Sequence, residues 1–314
     1  MFIGSEKISY SDITNLQKET PNLIIYALPL VFLFVIAEAI YAHYSQRSFY
    51  SVRETLGSTL VGLGNLIVSS IVKIGLIYGA VAIYNLVPWR FEADWWTFIP
   101  CYLLYDFCSY WSHRLSHTIR FFWATHVVHH SAEYYNLTVS FRQSWVQHFK
   151  VIFFLPVAFA GFHPIIFFLT NQVSVLYQFW VHTECIGKLH PAVEYIFGTP
   201  SNHRVHHGSQ PKYLDKNYGV TFMIWDHLFG TFQAEADRPD YGLTSKLPYQ
   251  IDPLYLNFHE YKDIIHDMKS ASTWKEKLFY LFASPARIAH RKRSRAFTDY
   301  SSKEVSTLTS SHSS

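Results

Sequence analysis

Charge is scarce in this chain. Of its 314 residues only 16% are Asp, Glu, Lys or Arg, against roughly 25% in a soluble domain. Hydrophobic residues make up 49% and aromatic ones 18%, so the composition points toward lipid. The net charge of +3 is too small to argue for nucleic acid. Its excess sits in 287–295, where a basic run beside apolar segments suits an anionic membrane surface. Three cysteines, Cys101, Cys108 and Cys185, are too few and too scattered for a disulfide framework or a Cys-based zinc site. A reduced, cytosol-facing active side is compatible with that. The polar segment 1–21 lacks the basic, apolar, small-residue pattern of a cleavable signal peptide. No internal repeat is visible, and the Ser/Thr-rich stretch 301–314 reads as a disordered tail.

Long apolar runs are what the chain has in place of charge. Residues 22–42 are apolar for about the 20 residues needed to cross a bilayer. Only Pro29 and Glu38 interrupt them, and the acid is expected near an end or facing other helices. A second span is expected over about 60–87, with Gly62, Gly64, Ser69, Ser70, Gly75 and Gly79 allowing close helix approach. A third, over 95–111, carries the belt residues Trp95, Trp96, Tyr110 and Trp111 at its ends. The apolar stretch 151–179 is broken at Gly161-Phe162-His163-Pro164 into two half-length pieces, which predicts a tilted or re-entrant hairpin.

The expected fold is therefore all-α. It is a polytopic membrane helical bundle of four to five membrane segments with a cytosolic, helical, histidine-rich cap. One domain over 22–300 would hold the histidine clusters of 113–235. The basic C-terminal segment places the cap in the cytosol, since Lys and Arg favour that face, and leaves the N-terminus on the far side. The loop 46–54, with Arg47 and Arg53, fits the cytosolic side, and 88–94, with one Arg and two acids, fits the other. The membrane would be the endoplasmic reticulum in a eukaryote or the inner membrane in a bacterium.

Histidine is the abundant residue, at 18 copies. His113 and His117 lie four apart at the end of the third span, so both imidazoles fall on one helical face. Alone, such a pair is more often a surface or core accident. His126, His129 and His130 follow as HxxHH, and His203, His206 and His207 repeat it. Adjacent histidines diverge by about 100° on a helix, so they serve two neighbouring ions more readily than one. Eight neutral imidazoles suit iron, zinc or copper rather than magnesium or calcium. Eight exceed what one mononuclear site uses, so two metals are inferred. A bis-histidine heme would leave six unexplained.

The series HxxxH, HxxHH, HxxHH on a membrane helical scaffold resembles the fatty acid hydroxylase and sterol desaturase superfamily. Within it, the runs HHSAEYYNLTVSFRQS (129–144), QFWVHTECIGKL (178–189), TPSNHRVHHG (199–208) and LDKNYGVTFMIWDHLFGTFQAE (214–235) are similar to the alkylglycerol monooxygenase branch. The resemblance implies a di-iron site that uses O2 to hydroxylate a lipid C–H bond. In that branch the ether-linked carbon of an alkylglycerol is oxidised with tetrahydrobiopterin as the reductant. It also promotes His182 to a ninth ligand and matches Glu133 to an acid important for activity. Gln178 falls where some relatives carry histidine, which makes it a candidate to support a ligand.

Relative to that branch this chain is shorter. Its region after Glu235 is largely polar, with a short amphipathic candidate over 274–289. Oxidation or desaturation of a sterol or fatty-acyl lipid is the alternative chemistry. No cytochrome b5-like segment is visible, so electrons would come from a separate protein such as cytochrome b5 or from the pterin. A histidine-lined metal transporter would instead carry its histidines within the spans and on both sides.

Asp106, inside the third span, needs a partner there, and orienting a ligand histidine is the sharper expectation. His43, His148, His163, His190, His227, His259, His266, His290 and His312 lack cluster spacing and read as surface or packing residues. The sequon Asn136-Leu137-Thr138 lies between clusters on the expected cytosolic face, so its match is spurious.

Overall fold

A computed structural model of the chain describes residues 6–294. The expected disordered tail 301–314, the end of the expected domain at 295–300 and His312 lie outside the described residues. Among those residues the regular elements are helices, with one isolated antiparallel bridge between Phe197 and Phe222.

The N-terminal part holds a short helix α1 (Ile13–Glu19), then α2 (Leu23–Tyr44) and α3 (Val52–Leu86). Two helical segments, Tyr10–Tyr44 and Val52–Leu86, are long and apolar enough to cross a membrane. Their apolar side chains point outward: Ile25, Leu33 and Ile36 on α2 and Leu63, Ile67 and Ile71 on α3 are all exposed. Exposed apolar surface on this scale suits contact with lipid. The two acids turn inward, since Glu38 and Glu54 are both buried.

Helix α4 (Trp95–Thr118) runs without a break from the expected third span through His117. It differs from α2 and α3 in being buried along much of its length, including Asp106, Ser109, Ser112 and Ser116. Its apolar half packs on the hairpin, where Cys101, Tyr105 and Cys108 meet Val157, Phe162 and Ile166.

After α5 (Arg120–Trp123) and α6 (Val127–His130), the hairpin comprises a 3-10 helix over Gln147–Phe154, then α7 (Leu155–Phe159) and α8 (Pro164–Trp180). The break falls at the expected residues. Gly161 has φ +84°, and a Cβ there would lie 2.1 Å from the Trp89 carbonyl oxygen, so only glycine fits. His163 caps α8, its Nδ1 accepting the Ile165 amide at 3.3 Å.

The remaining elements are α9 (Pro191–Ile196), α10 (Pro200–His206), α11 (Ile224–Phe229), α12 (Pro253–Ser270) and α13 (Trp274–Phe282). Ile13 and Leu16 of α1 pack on Ile77 and Val81 near the end of α3. Glu54 at the start of α3 contacts the loop after the second histidine cluster. The N-terminal helix and that loop therefore lie at opposite ends of α3.

Candidate metal centre

Local sequence explains how each histidine-bearing turn forms. In α10, Thr199 caps the helix by accepting the Asn202 amide on Oγ1, and Pro200 fills the first position, where no amide is needed. His203, His206 and His207 then project from one short turn and its C-terminal residue. In α6 the motif is shorter still, with His126 at the N-cap and His130 as last residue.

The nine sequence-predicted histidines come together in two groups. His113, His117, His126, His130 and His206 form one, and His129, His182, His203 and His207 the other; within each, the nearest donor atoms all lie within 4.8 Å of one another. The division follows a rule. In each HxxHH motif the two histidines four apart stay together and the middle one crosses to the other group. Adjacent histidines are thereby separated, as their divergence on a helix requires. The groups abut, since the His130 and His207 rings stack with centroids 4.4 Å apart.

The nitrogens fit a cation. Within the first group, Nε2 of His130 lies 3.2 Å from that of His126 and 3.1 Å from that of His206. Within the second, Nε2 of His182 lies 3.1 Å from that of His129 and 2.9 Å from that of His203. Nitrogens about 2.0–2.1 Å from a shared ion sit roughly 2.9–3.4 Å apart at octahedral or tetrahedral angles. Nε2 of His113, His117 and His207 is buried without a partner. Buried polar atoms are otherwise nearly always paired, and ions at the group centres would answer the need.

The opposite ring edges are tied down. Nδ1 of His113 donates to the Tyr218 carbonyl at 2.9 Å, that of His182 to the Gln178 carbonyl at 2.6 Å, and that of His206 to the Lys216 carbonyl at 2.9 Å. Each bond fixes the tautomer that leaves Nε2 free for a metal. Nδ1 of His117 faces Asp215 at 3.7 Å. Burial, followed by mutual repulsion and for His126 by the Lys150 charge, holds His126, His129, His130, His203 and His207 well below the ordinary imidazole value. Burial lowers His182 to about 4. Neutral imidazole is the form that ligates.

Three carboxylates hold this shell, and none was singled out in the sequence for that purpose. Glu38 reaches from α2, its Oε2 accepting the Tyr50 hydroxyl at 2.6 Å and the Leu137 amide at 2.8 Å; its Oε1 accepts the Thr183 hydroxyl. Glu54 accepts the Glu133 and Tyr134 amides at 2.9 and 3.3 Å. Asp226, fully buried, accepts the Tyr218 and Gly219 amides and the Thr231 hydroxyl, which sets the Tyr218 carbonyl that meets His113. The one available signal was local: Asp215 and Asn217 flank Lys216 with φ of 59° and 54°, a left-handed conformation that Asp and Asn tolerate.

The expectation for Asp106 is corrected. Its carboxylate accepts the Thr221 amide at 2.9 Å, the Phe222 amide at 3.3 Å and the Trp225 indole N–H at 2.9 Å, and it touches no histidine. An acid in that helix does need partners, but loop amides supply them. Gln178 supports His182 through its backbone carbonyl, while its side chain donates to Ser174. Glu133 lies outside both groups, its carboxylate 3.2 Å from Lys246. Asn136 is buried and donates to the Phe49 carbonyl at 2.7 Å, which leaves no room for a glycan.

A histidine-clustered domain at the end of apolar helices defines the class. Residues 98–231 match the fatty acid hydroxylase family. The chain is similar to the alkylglycerol monooxygenase of Xenopus tropicalis, 45% identical over 175 residues, which cover 54% of this chain and 38% of that protein. It is 46% identical to the Danio rerio alkylglycerol monooxygenase over 159 residues, 50% of this chain and 34% of that protein. With the Homo sapiens protein it shares 39% identity over 204 residues, 65% of this chain and 44% of that protein. These alignments span less than half of each relative. No solved structure matches the chain.

Proposed function

We propose that this protein is an integral-membrane di-iron oxygenase that uses O2 to hydroxylate a lipid C–H bond, the ether-linked carbon of an alkylglycerol being the first-choice target. One observation carries the reading. Nine buried or half-buried imidazoles, with no carboxylate among them, fall into two abutting groups whose free nitrogens have the spacing of shared ligands. Nitrogen donors admit zinc as well as iron, but the relatives' names describe oxidation, which requires a metal with accessible redox states. Two such ions would supply O2 activation. His113, His117, His126, His130 and His206 would hold one, and His129, His182, His203 and His207 the other.

The chain's own groups do the rest. Backbone carbonyls of Gln178, Lys216 and Tyr218 hold three rings in the ligating tautomer. Beside the second group, Val181, Val220 and Met223 pack with Asn202 and Asn217 around His203. Glu133 is proposed as a proton-handling group that turns inward from Lys246 when substrate binds. Hydroxylation consumes one O2, two electrons and two protons, and releases one water. On an ether-linked carbon the product is a hemiacetal, which breaks its C–O bond to give an aldehyde and glycerol. Tetrahydrobiopterin, or a separate donor such as cytochrome b5, would supply the electrons.

The proposed setting is a multi-pass membrane protein with the histidines at the cytosolic face. The nine gather at one end of the helices rather than along them, which disfavours a transporter. Product analysis by mass spectrometry, with alkylglycerols, sterols and acyl lipids supplied with and without tetrahydrobiopterin, tests the substrate. Aldehyde release from alkylglycerol that depends on the pterin is the expected result. Conversion of sterol alone would overturn the ether-lipid assignment.

A further inference from the structure

The region after Glu235 is less polar in three dimensions than in sequence. At 100° per residue, Leu254, Phe258, Tyr261 and Ile265 of α12 fall within about 60° of one another. Leu254, Phe258 and Ile265 are exposed, although Leu256, Ile264 and Asp267 are buried on the adjoining face. On α13, Trp274, Leu278 and Phe282 stand at successive four-residue steps and are 76%, 52% and 50% exposed.

Neither stripe is isolated from the membrane-facing part of the molecule. Phe121 stands 6.1 Å from Tyr261 on α12 and 6.1 Å from Phe149 at the exposed start of the hairpin. Phe122 meets Phe153 at 4.9 Å. Arg120 binds α13 directly, its Nη1 donating to the Tyr280 carbonyl and its amide to the Ala283 carbonyl. It also ties α12 through Glu260 and Asp267, each at 2.6 Å. Both helices are thereby fixed at the end of α4 that carries His113 and His117.

Charge flanks the stripes. Lys262 and Lys269 border that of α12, Lys275 and Lys277 stand on either side of that of α13, and Arg287, Lys292 and Arg293 are exposed on the helix that follows. The Lys277 ammonium lies 4.9 Å over the Trp274 ring. The exposed acids nearby are Asp252, which caps α12, and Asp263, on the side of α12 away from its stripe. An apolar face with Trp at its edge and lysines beside it is the pattern of a helix lying in a membrane interface.

We propose that α12 and α13 lie flat on the membrane surface and dock, through these two stripes, on the anionic lipid leaflet that borders the histidine-bearing end of the spans. The docking depends on apolar area and basic flanks alone, and stands whatever reaction the metal centre performs. It would clamp Arg120, and with it the turn leading to His126, to the plane of the bilayer.

The test uses the full chain in nanodiscs of phosphatidylcholine, alone or mixed with phosphatidylglycerol. Cys185, the exposed cysteine, is replaced by serine, and single cysteines carrying an environment-sensitive fluorophore are placed by Leu278→Cys, Ile265→Cys and, as solvent control, Asp263→Cys. Labels at 278 and 265 are expected to be quenched by lipid-borne spin labels about twofold or more above the control and to be shielded from iodide. The shielding should be stronger in the anionic discs and should weaken with Arg287→Gln and Arg293→Gln. Equal iodide access at all three positions would overturn the docking, and equal shielding in neutral and anionic discs would overturn the choice of an anionic leaflet.

Discussion

Replacing Glu38 by alanine removes one carboxylate from α2 and leaves three donors on other segments without an acceptor. These are the Tyr50 hydroxyl at 2.6 Å, the Leu137 amide at 2.8 Å and the Thr183 hydroxyl. Each buried unsatisfied donor costs about 1–3 kcal/mol. The hydroxyls can rotate toward other acceptors and the amide cannot, which puts the total loss at about 3–5 kcal/mol. For a protein of this size that corresponds to a Tm lower by roughly 5–8 °C.

Glu38→Gln is the discriminating control. Its single carbonyl oxygen still accepts from Tyr50 and Leu137, and its NH2 can donate to a rotated Thr183 hydroxyl. The loss should then be about 1 kcal/mol. Thermal unfolding in detergent, followed by near-ultraviolet dichroism, reads both variants, and metal content after purification reads the consequence at His182, the neighbour of Thr183. Glu38→Ala unfolding within a degree or two of the parent and retaining full metal would refute the reasoning. Equal losses in Ala and Gln would point to side-chain volume rather than hydrogen bonding.

Two further outcomes follow from the same shell. Gln178→Ala should retain the parent's metal content, because the bond to His182 comes from the backbone carbonyl; metal analysis showing loss would mean that the side chain matters. With the metals chelated away, stability should fall as pH drops from 6.5 toward about 4. The unfolded chain takes up protons through that window, while burial keeps His182 neutral until about 4. Stability therefore rises with pH across it, by about 3 kcal/mol from His182 alone. A flat profile of denaturation midpoint between pH 4 and 7 would contradict this.

The HxxxH pair and the two HxxHH motifs were legible because their spacing is local, whereas His182 entered only through the family resemblance. Four-residue steps mark one helical face and adjacent pairs mark two, so the sequence of 113–130 and 203–207 already implied a divided set. The shell around them was not legible. Glu38 and Thr183 are 145 residues apart and Asp106 and Thr221 are 115, and nothing in either neighbourhood announces the partner. Asp106 shows the limit of reasoning from cost alone: the acid had to be satisfied, but backbone amides did so, and these leave no mark in side-chain identity. The carbonyls of Lys216 and Tyr218 are equally silent. The amphipathic candidate over 274–289 already marked the α13 stripe, but the stripe of α12 escaped. Leu254, Phe258 and Ile265 stand among Asn, Lys and Asp, and the mean polarity of the segment hides a face that appears only at helical spacing.

Metal quantification with Mössbauer spectroscopy on protein reconstituted anaerobically with ferrous iron tests the central claim most directly. The parent should hold two irons per chain. Removing His203 and His207 together should leave one, held by the group of His113, His117, His126, His130 and His206. Removing His113 and His117 together should leave the other. A single iron in the parent, or two irons that survive either double substitution, would contradict a centre built from two histidine groups.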